Sequence, residues 1–202
     1  MIPVADIAQR VKPRVGSLWS SQAFDDPTFV AALNDALKDL AMAFVFPANE
    51  KLVTLVVSTT SGTVVETDMD ENIQTFWVKK DGTEIPKELI FNKKEFYRQS
   101  AKNGCAVGFD KFICAESGTY EIYGNFFPTP FVTLEGATID LPYSLCLGYL
   151  VERCVYYYLT YNLKLTQAAS VDATCTKIVE RMGATSFDRT PEHKTTTSSA
   201  LA

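Results

Sequence analysis

Only one stretch of the sequence concentrates carboxylates, the segment ETDMDEN, which holds Glu66, Asp68, Asp70 and Glu71. Oxygen ligands at every second position suit Ca²⁺ or Mg²⁺. The segment lacks both the glycine at the sixth loop position and the distal glutamate of an EF-hand. We therefore interpret it as a solvated turn and predict no metal site.

Nucleophilic catalysis of the Ser-His-Asp or Cys-His kind needs a histidine beside the nucleophile. The single histidine, His193, lies in a polar C-terminal stretch, where nothing would hold it rigidly beside a nucleophile. The cysteines are odd in number and form no C-x-x-C pair, which favours buried thiols over disulfides or a zinc site. Neither G-x-x-x-x-G-K-[ST] nor G-x-G-x-x-G occurs. The sequence predicts a protein that is not an enzyme and needs no cofactor.

Trp77, Lys79 and Lys80 form the combination of aromatic and basic residues that could bind a nucleic acid. We favour the alternative, a hairpin in which Trp77 packs inward and the lysines shield a sheet edge. The formal net charge of −5 also argues against binding nucleic acid over the whole surface. That charge is compatible with a pore, because DNA that is repelled can slide through it.

Length and composition bound the architecture. A chain of 202 residues with 47% hydrophobic residues can form one domain with a sizeable core. Residues 1–6 lack the charged and apolar regions of a signal peptide. No stretch reaches the roughly 18 apolar residues of a membrane-spanning helix. We expect a protein made in a cytoplasm, with no membrane partner.

Helical patterns occupy both ends of the chain, with β-type patterns between them. Asp26 followed by Pro27 predicts a helix start, and the apolar period continues to about Phe46. From Lys51 the chain is rich in β-branched residues, with one hairpin predicted at Ser61-Gly62 and another at Asp81-Gly82. These signals predict helices first and then a β-rich middle.

A long helix predicted from Asp140 to about Asn162 is apolar on nearly every side and carries Tyr156, Tyr157, Tyr158 and Tyr161. A further helix is predicted from residue 166 to 182. A bundle of helices would bury one stripe of such a helix, so the remaining apolar surface needs other cover. Either the β-rich middle or a neighbouring subunit could supply it.

The predicted fold class is α+β. An antiparallel helical bundle forms from the N- and C-terminal parts, with an inserted β-rich subdomain and an extended C-terminal tail. The expected boundaries are residues 1–48 and 140–183 for the bundle, 49–139 for the insertion and 184–202 for the tail.

Three stretches, in this order, resemble the head–tail adaptor (head-completion) proteins of tailed bacteriophages. They are the hairpin FWVKKDGTEIPKEL, the strand with its following proline SGTYEIYGNFFPTP, and the D-L-P helix start IDLPYSLCLGYLVERCVYYYLTYN. The resemblance covers most of residues 26–182.

The resemblance implies a virion protein that forms a ring, typically of twelve subunits, beneath the portal protein. Such a ring extends the DNA channel, through which DNA passes without sequence-specific binding, and is a platform for the tail or the next neck protein. It needs no cofactor. By analogy the C-terminal tail orders on assembly. The implied portal or subunit interface is Tyr156, Tyr157, Tyr161, Phe187, Arg189 and His193, and the implied contact to the next ring is Lys80, Asp81 and Gly82.

Two other functional classes stay open. One is another tail or neck component, such as a tail-completion or tail-terminator protein; a terminator would be dominated by a sheet with fewer flanking helices. The other is an enzyme or a nucleic-acid binder. An enzyme would need a cleft with strongly perturbed titratable groups, and a DNA binder would lose affinity steeply with salt.

Overall fold

A computed structural model describes residues 1–19, 26–44, 46–60, 63–99 and 104–184. Within these ranges the chain is a mixed α+β protein, so the predicted class is confirmed. The helices are α1 (Val4–Val15), α2 (Pro27–Ala43), α3 (Lys93–Gln99), α4 (Tyr143–Tyr161) and α5 (Leu165–Ala184). The strands are β1 (Ile2–Pro3), β2 (Glu50–Val57), β3 (Val65–Asp68), β4 (Asn72–Lys80), β5 (Thr83–Glu84), β6 (Ile90–Phe91), β7 (Cys105–Val107), β8 (Lys111–Cys114), β9 (Gly118–Phe126) and β10 (Thr138–Ile139).

Helix α2 begins where the sequence predicts. Oδ1 of Asp26 accepts hydrogen bonds from the backbone N–H groups of Thr28 at 2.9 Å and Phe29 at 3.2 Å, and Pro27 occupies the first turn. The cap satisfies two of the amide groups that a helix start leaves unpaired. The helix ends at Ala43, earlier than the predicted Phe46. Phe46 is extended because it precedes a proline.

Helix α4 is surrounded by helices of its own chain. It packs against α1, α2 and α5, which together form a helical layer. Cover by helices on several sides explains why more than one stripe of α4 is apolar. The buried residues of α4 are Cys146, Leu147, Tyr149, Leu150, Val151, Cys154, Val155, Tyr158 and Leu159. Of the helices described, none has the length and apolar character needed to cross a membrane.

The middle of the chain forms two four-stranded sheets, with strand orders β2-β9-β4-β5 and β3-β8-β7-β6. Their facing sides share one apolar core, in which Val78 and Ile122 of the first sheet lie with Phe112 of the second. The other side of the second sheet is covered by α3 through Phe96. The first sheet is therefore the one whose second side faces outward.

The two predicted hairpins have different outcomes. The hairpin at Asp81-Gly82 is confirmed, because β4 and β5 pair around it and both turn residues have positive φ (48° and 82°), as a type I′ turn requires. The hairpin between β2 and β3 is wrong, since the two strands lie in different sheets and β2 pairs with β9 instead. Ser61 and Gly62 themselves lie outside the described residues.

The segment that follows β9 joins the helical layer. Leu134, Ile139 and Leu141 are buried in the same core as the helices, and β10 pairs with β1. The Asn34 side chain of α2 holds this segment by donating to the Phe131 carbonyl at 3.0 Å and accepting from the Phe131 N–H at 2.8 Å. The helical layer thus includes residues that the sequence pattern assigns to the β-rich insertion.

Candidate assembly interface

Two of the predicted interface tyrosines bind carboxylates of α2. The Tyr157 hydroxyl donates to Oδ2 of Asp39 at 2.6 Å, and the Tyr161 hydroxyl donates to Asp35. The two rings stack with centroids 6.0 Å apart. Burial, followed by these hydrogen bonds to carboxylates, raises the pKa of both tyrosines. Both hydroxyls are therefore neutral donors that tie α4 to α2.

Arg153 organises the same cluster from the centre of α4. Its Nε donates to Asp39 on α2 and its second guanidinium nitrogen donates to Asp172 on α5, each at 2.5 Å. The guanidinium carbon lies 4.5 Å from the ring centroid of Tyr156. Burial alone would lower the pKa of Arg153, but the hydrogen bond and charge of Asp39 outweigh it and the pKa is raised. Arg153 thus connects three helices.

These contacts separate the three tyrosines by role. The hydroxyls of Tyr157 and Tyr161 both form hydrogen bonds within the chain. Tyr161 keeps 42% of its surface exposed, and Tyr156 is half-buried, with no hydrogen-bond partner for its hydroxyl among the described residues. The role of all three tyrosines in a subunit interface stays a prediction. The other predicted interface residues, Phe187, Arg189 and His193, lie outside the described residues.

The tip of the β4–β5 hairpin is held against the start of β9. Oδ1 of Asp81 accepts from the Thr119 N–H at 2.8 Å, the Asp81 N–H donates to the Thr119 carbonyl at 2.8 Å, and Lys80 forms an ion pair with Glu116. Gly82 is exposed, with open space where a side chain would be. Of the three predicted contact residues, two anchor the tip and Gly82 presents backbone to the outside.

Trp77 lies on the outer side of the first sheet, so the prediction that it packs inward is wrong. Its neighbour Val78 is the residue that points into the shared core. The cause is a β-bulge between Thr75 and Trp77, which shifts the register of β4 by one residue against β9. The Trp77 ring stacks on Tyr123 at 5.4 Å, and Lys79 Nζ lies 4.6 Å from the Trp77 centroid.

Strand β2 completes this outer side and forms its edge. Leu52 lies directly opposite Tyr123 in the register, on the same side as Trp77. Leu52 and Val56 are 51% and 77% exposed. We call the surface formed by Leu52, Val56, Trp77, Lys79 and Tyr123 the open sheet face. Alternation of apolar residues in KLVTLVV was the sequence signal for it, but that signal alone does not tell which side is covered.

The β2 edge differs from the other edges of the described sheets. It is eight residues long and pairs without a bulge, and only β9 is its partner in the part of the chain described. At the opposite edge of the first sheet, β5 covers only Lys79 and Lys80 of β4, and the rest of β4 is broken by two register irregularities. In the second sheet the edge strands are short: β6 has two residues, and β3 has four with two carboxylates. A long, regular edge with exposed apolar side chains is suited to accept a further strand.

The carboxylate cluster is neutralised by lysines rather than arranged around a metal. Within the described ranges no group of three or more His, Cys, Asp or Glu could hold a metal ion. The hydrogen bond from the Tyr97 hydroxyl and then that from Lys93 lower the pKa of Glu66. The ion pairs are Glu66–Lys93 at 2.9 Å, Asp68–Lys111, Asp70–Lys51 at 2.7 Å and Glu71–Lys38 at 3.0 Å.

Neither the protein-family models nor the curated proteins compared with this chain match it. A functional proposal for this chain therefore rests on its sequence motifs and on the geometry of the described residues. Among the described groups with a strongly raised pKa, burial is the first cause for the tyrosines and thiols, such as Tyr149 and Cys154, whereas Asp39 raises the pKa of Arg153. Burial keeps these thiols and hydroxyls neutral and places them in the core. The described surface offers instead an apolar sheet face with an open edge, which can bind another polypeptide.

Proposed function

We propose that the protein is a structural virion protein, a head–tail adaptor of a tailed bacteriophage. In this proposal copies of the chain form a ring of about twelve subunits beneath the portal protein. The ring extends the DNA channel and is a platform for the tail or the next neck protein. The observation that carries the proposal is the open sheet face with its β2 edge. The motifs quoted above give it the phage context.

The open sheet face favours a protein partner. An exposed edge of eight residues provides main-chain donors and acceptors for a strand of a neighbouring chain, and Leu52 and Val56 provide apolar contacts. Left uncovered, such an edge promotes aggregation. A permanent neighbour in an assembly would remove that risk.

The charges of this face do not favour a nucleic acid. Lys79 lies directly opposite Glu121 in the β4–β9 register, so the basic residue beside Trp77 has a carboxylate as its cross-strand neighbour. Glu50, at the start of β2, accepts a hydrogen bond from Tyr123 at 2.6 Å. Binding to DNA phosphates depends on clustered lysines and arginines. In the proposed ring DNA passes through without specific binding.

The finer architecture belongs to the same proposal. We take the helical layer as an antiparallel bundle that forms the wall of the ring, and residues 184–202 as an extended tail that orders on the portal or an adjacent subunit. Phe187, Arg189 and His193 would anchor that tail, and Lys80, Asp81 and Gly82 would contact the next ring. Helices at both ends of the chain favour an adaptor over a tail terminator, in which a sheet would dominate.

Mass measurement tests the proposal. The purified chain would be examined by native mass spectrometry and light scattering, alone and mixed with portal protein or virion extract. We expect a ring-sized species, or a monomer that joins a larger ring only in the mixture. A chain that stays monomeric in every mixture would remove the proposal.

A further inference from the structure

We propose that neighbouring copies of this chain contact each other by inserting the turn between α4 and α5 of one copy into a cavity beside α2 of the next. The inserted part, here called the α4–α5 corner, consists of Tyr161, Leu163, Lys164 and Leu165. The inference rests on the proposed function, because it names the contact by which copies assemble.

The corner holds a leucine in a conformation that leucine rarely adopts. Leu163 has φ +58°, in the left-handed region. Its N–H donates to the Thr160 carbonyl at 3.0 Å, and the Lys164 N–H donates to the Leu159 carbonyl at 2.9 Å. This pair of bonds defines a Schellman motif, whose left-handed position is usually glycine and sometimes asparagine. A bulky residue there is strained.

The strained leucine also points outward. Leu163 is 82% exposed and Leu165 is 61% exposed, with the partly exposed ring of Tyr161 beside them in sequence. A leucine that is mostly exposed buries little apolar surface in the monomer, and glycine would fit the backbone better. Backbone strain that the fold itself does not use is a reason to look for a binding role.

A cavity that could accept the exposed leucine side chains of the α4–α5 corner lies elsewhere on the same chain. It has a volume of about 220 Å³ and opens to solvent between α2 and residues 127–141. Its lining is mixed, with apolar residues such as Leu37, Leu40 and Phe127 beside polar ones such as Asn49 and Thr129. Small-molecule sites usually have roughly 300–1,000 Å³. The smaller volume suits one or two aliphatic side chains better than a metabolite.

Charge complementarity supports a second copy as the occupant. Lys164 stands between the two exposed leucines and has no ion-pair partner in the described part of the chain. Asp140 stands at the cavity rim and, among the same residues, has none either. The other charged residue of the lining, Lys51, is already paired with Asp70. A corner seated in the cavity brings Lys164 to a free carboxylate.

The two complementary surfaces are different parts of one chain. A contact between them is heterologous, so each copy offers one corner and one cavity, and repetition generates a closed ring or an open filament. The open sheet face then stays available for the portal or the next neck protein.

Carbodiimide cross-linking of full-length chain tests the contact directly. Isotopically labelled and unlabelled copies would be mixed, cross-linked, digested and searched by mass spectrometry for a Lys164–Asp140 link that joins one labelled and one unlabelled copy. We expect this link at concentrations where association is seen. Its absence from associated chains would overturn the inference.

Variants give an independent readout. Leu163→Gly should leave the free energy of unfolding of the monomer unchanged or raise it, while association becomes at least tenfold weaker. Lys164→Glu and Asp140→Lys should each weaken association, and the two changes combined in one chain should restore it. Leu163→Gly that associates like the unchanged chain, or a double variant without rescue, would overturn the inference.

The outcomes separate this inference from the proposed function. A portal-bound ring that lacks the Lys164–Asp140 link leaves the adaptor proposal standing and removes the corner contact. Copies that show the link but never bind portal protein or virion extract support the corner contact and remove the adaptor proposal.

Discussion

The Tyr157 hydroxyl and Oδ2 of Asp39 share a hydrogen bond of 2.6 Å that joins α4 to α2. The same carboxylate oxygen accepts from Arg153, whose other end reaches Asp172 on α5. A group of residues that the sequence suggests as an outward interface is therefore, in part, the polar connection inside the helical layer. Substitutions of Arg153 should therefore lower the stability of the fold before they affect any contact with a partner.

Replacing Arg153 by methionine should lower the free energy of unfolding by about 2 kcal/mol, because Asp39 loses a charged partner in a partly buried site. The Arg153 side chain is 19% exposed, so solvent screens the interaction only in part. Urea denaturation at pH 7 measures the loss. Arg153→Lys is the matched control and should recover only part of it, since lysine cannot reach two carboxylates with a planar fork. A loss below about 0.5 kcal/mol for Arg153→Met would contradict the role.

Alkaline pH should destabilise the helical layer. Burial first, and then hydrogen bonds to carboxylates, raise the pKa of Tyr157, Tyr158 and Tyr161 above the value in the unfolded chain. Above about pH 10 the unfolded chain releases these protons while the folded chain keeps them, so stability falls as pH rises toward the folded pKa values. Urea titrations at pH 8, 10 and 11, with tyrosinate absorbance, measure the slope.

Tyr158→Phe is the control for this slope. Its hydroxyl donates to Asp26 at 3.1 Å and to the Leu18 carbonyl at 3.1 Å, so the variant should be less stable at pH 7. It should nevertheless lose stability less steeply above pH 10. Equal slopes for the variant and the unchanged chain would show that Tyr158 titrates normally in the fold.

The Glu66 carboxylate should titrate at lower pH than an ordinary glutamate. The Tyr97 hydroxyl donates to it at 2.7 Å, and this bond is the first cause of its lowered pKa, followed by Lys93. A lowered folded pKa stabilises the fold above the unfolded pKa, and the benefit is lost as pH falls through the folded value. Tyr97→Phe should raise the pKa of Glu66, as measured by carboxyl-carbon NMR titration. An unchanged Glu66 titration in Tyr97→Phe would refute the assignment.

Local signals predicted much of the fold because their causes lie within a few residues. Asp26 and Pro27 start a helix through a cap and a fixed φ, and Asp81-Gly82 forms a tight turn through positive φ values. The α+β class and the last two helices follow from the same kind of short-range pattern.

Features that depend on residues far apart in the chain could not be predicted from the local sequence. The pairing of β2 with β9 joins Val57 to Gly118, about sixty positions away, and nothing near β2 encodes it. The side on which Trp77 lies depends on one bulge, which moves its side chain to the opposite face. The left-handed Leu163 was not predicted either, because glycine or asparagine is the usual signal for that position.

Two glycine-to-alanine changes should move stability in opposite directions. Gly82 has φ +82°, so Gly82→Ala should cost about 1 kcal/mol although the space around it is open. Gly148 lies exposed within α4 with open space where a β-carbon would stand, so Gly148→Ala should stabilise by roughly 0.5–1 kcal/mol. Thermal and urea denaturation check both. Equal signs for the two changes would contradict the turn and helix assignments.

A lysine on the open sheet face should weaken assembly without unfolding the chain. Val56 is 77% exposed, so Val56→Lys should change the free energy of unfolding by no more than about 0.5 kcal/mol. A charge on an edge strand disfavours pairing with another strand and removes the apolar contact. Ala173→Lys, which adds the same charge to an exposed position of α5, is the control.

In native mass spectrometry with portal protein or virion extract, Val56→Lys should reduce the assembled fraction at least tenfold and Ala173→Lys should not. If both variants assemble like the unchanged chain, the partner binds elsewhere and the β2 edge is not the contact that carries the proposed function.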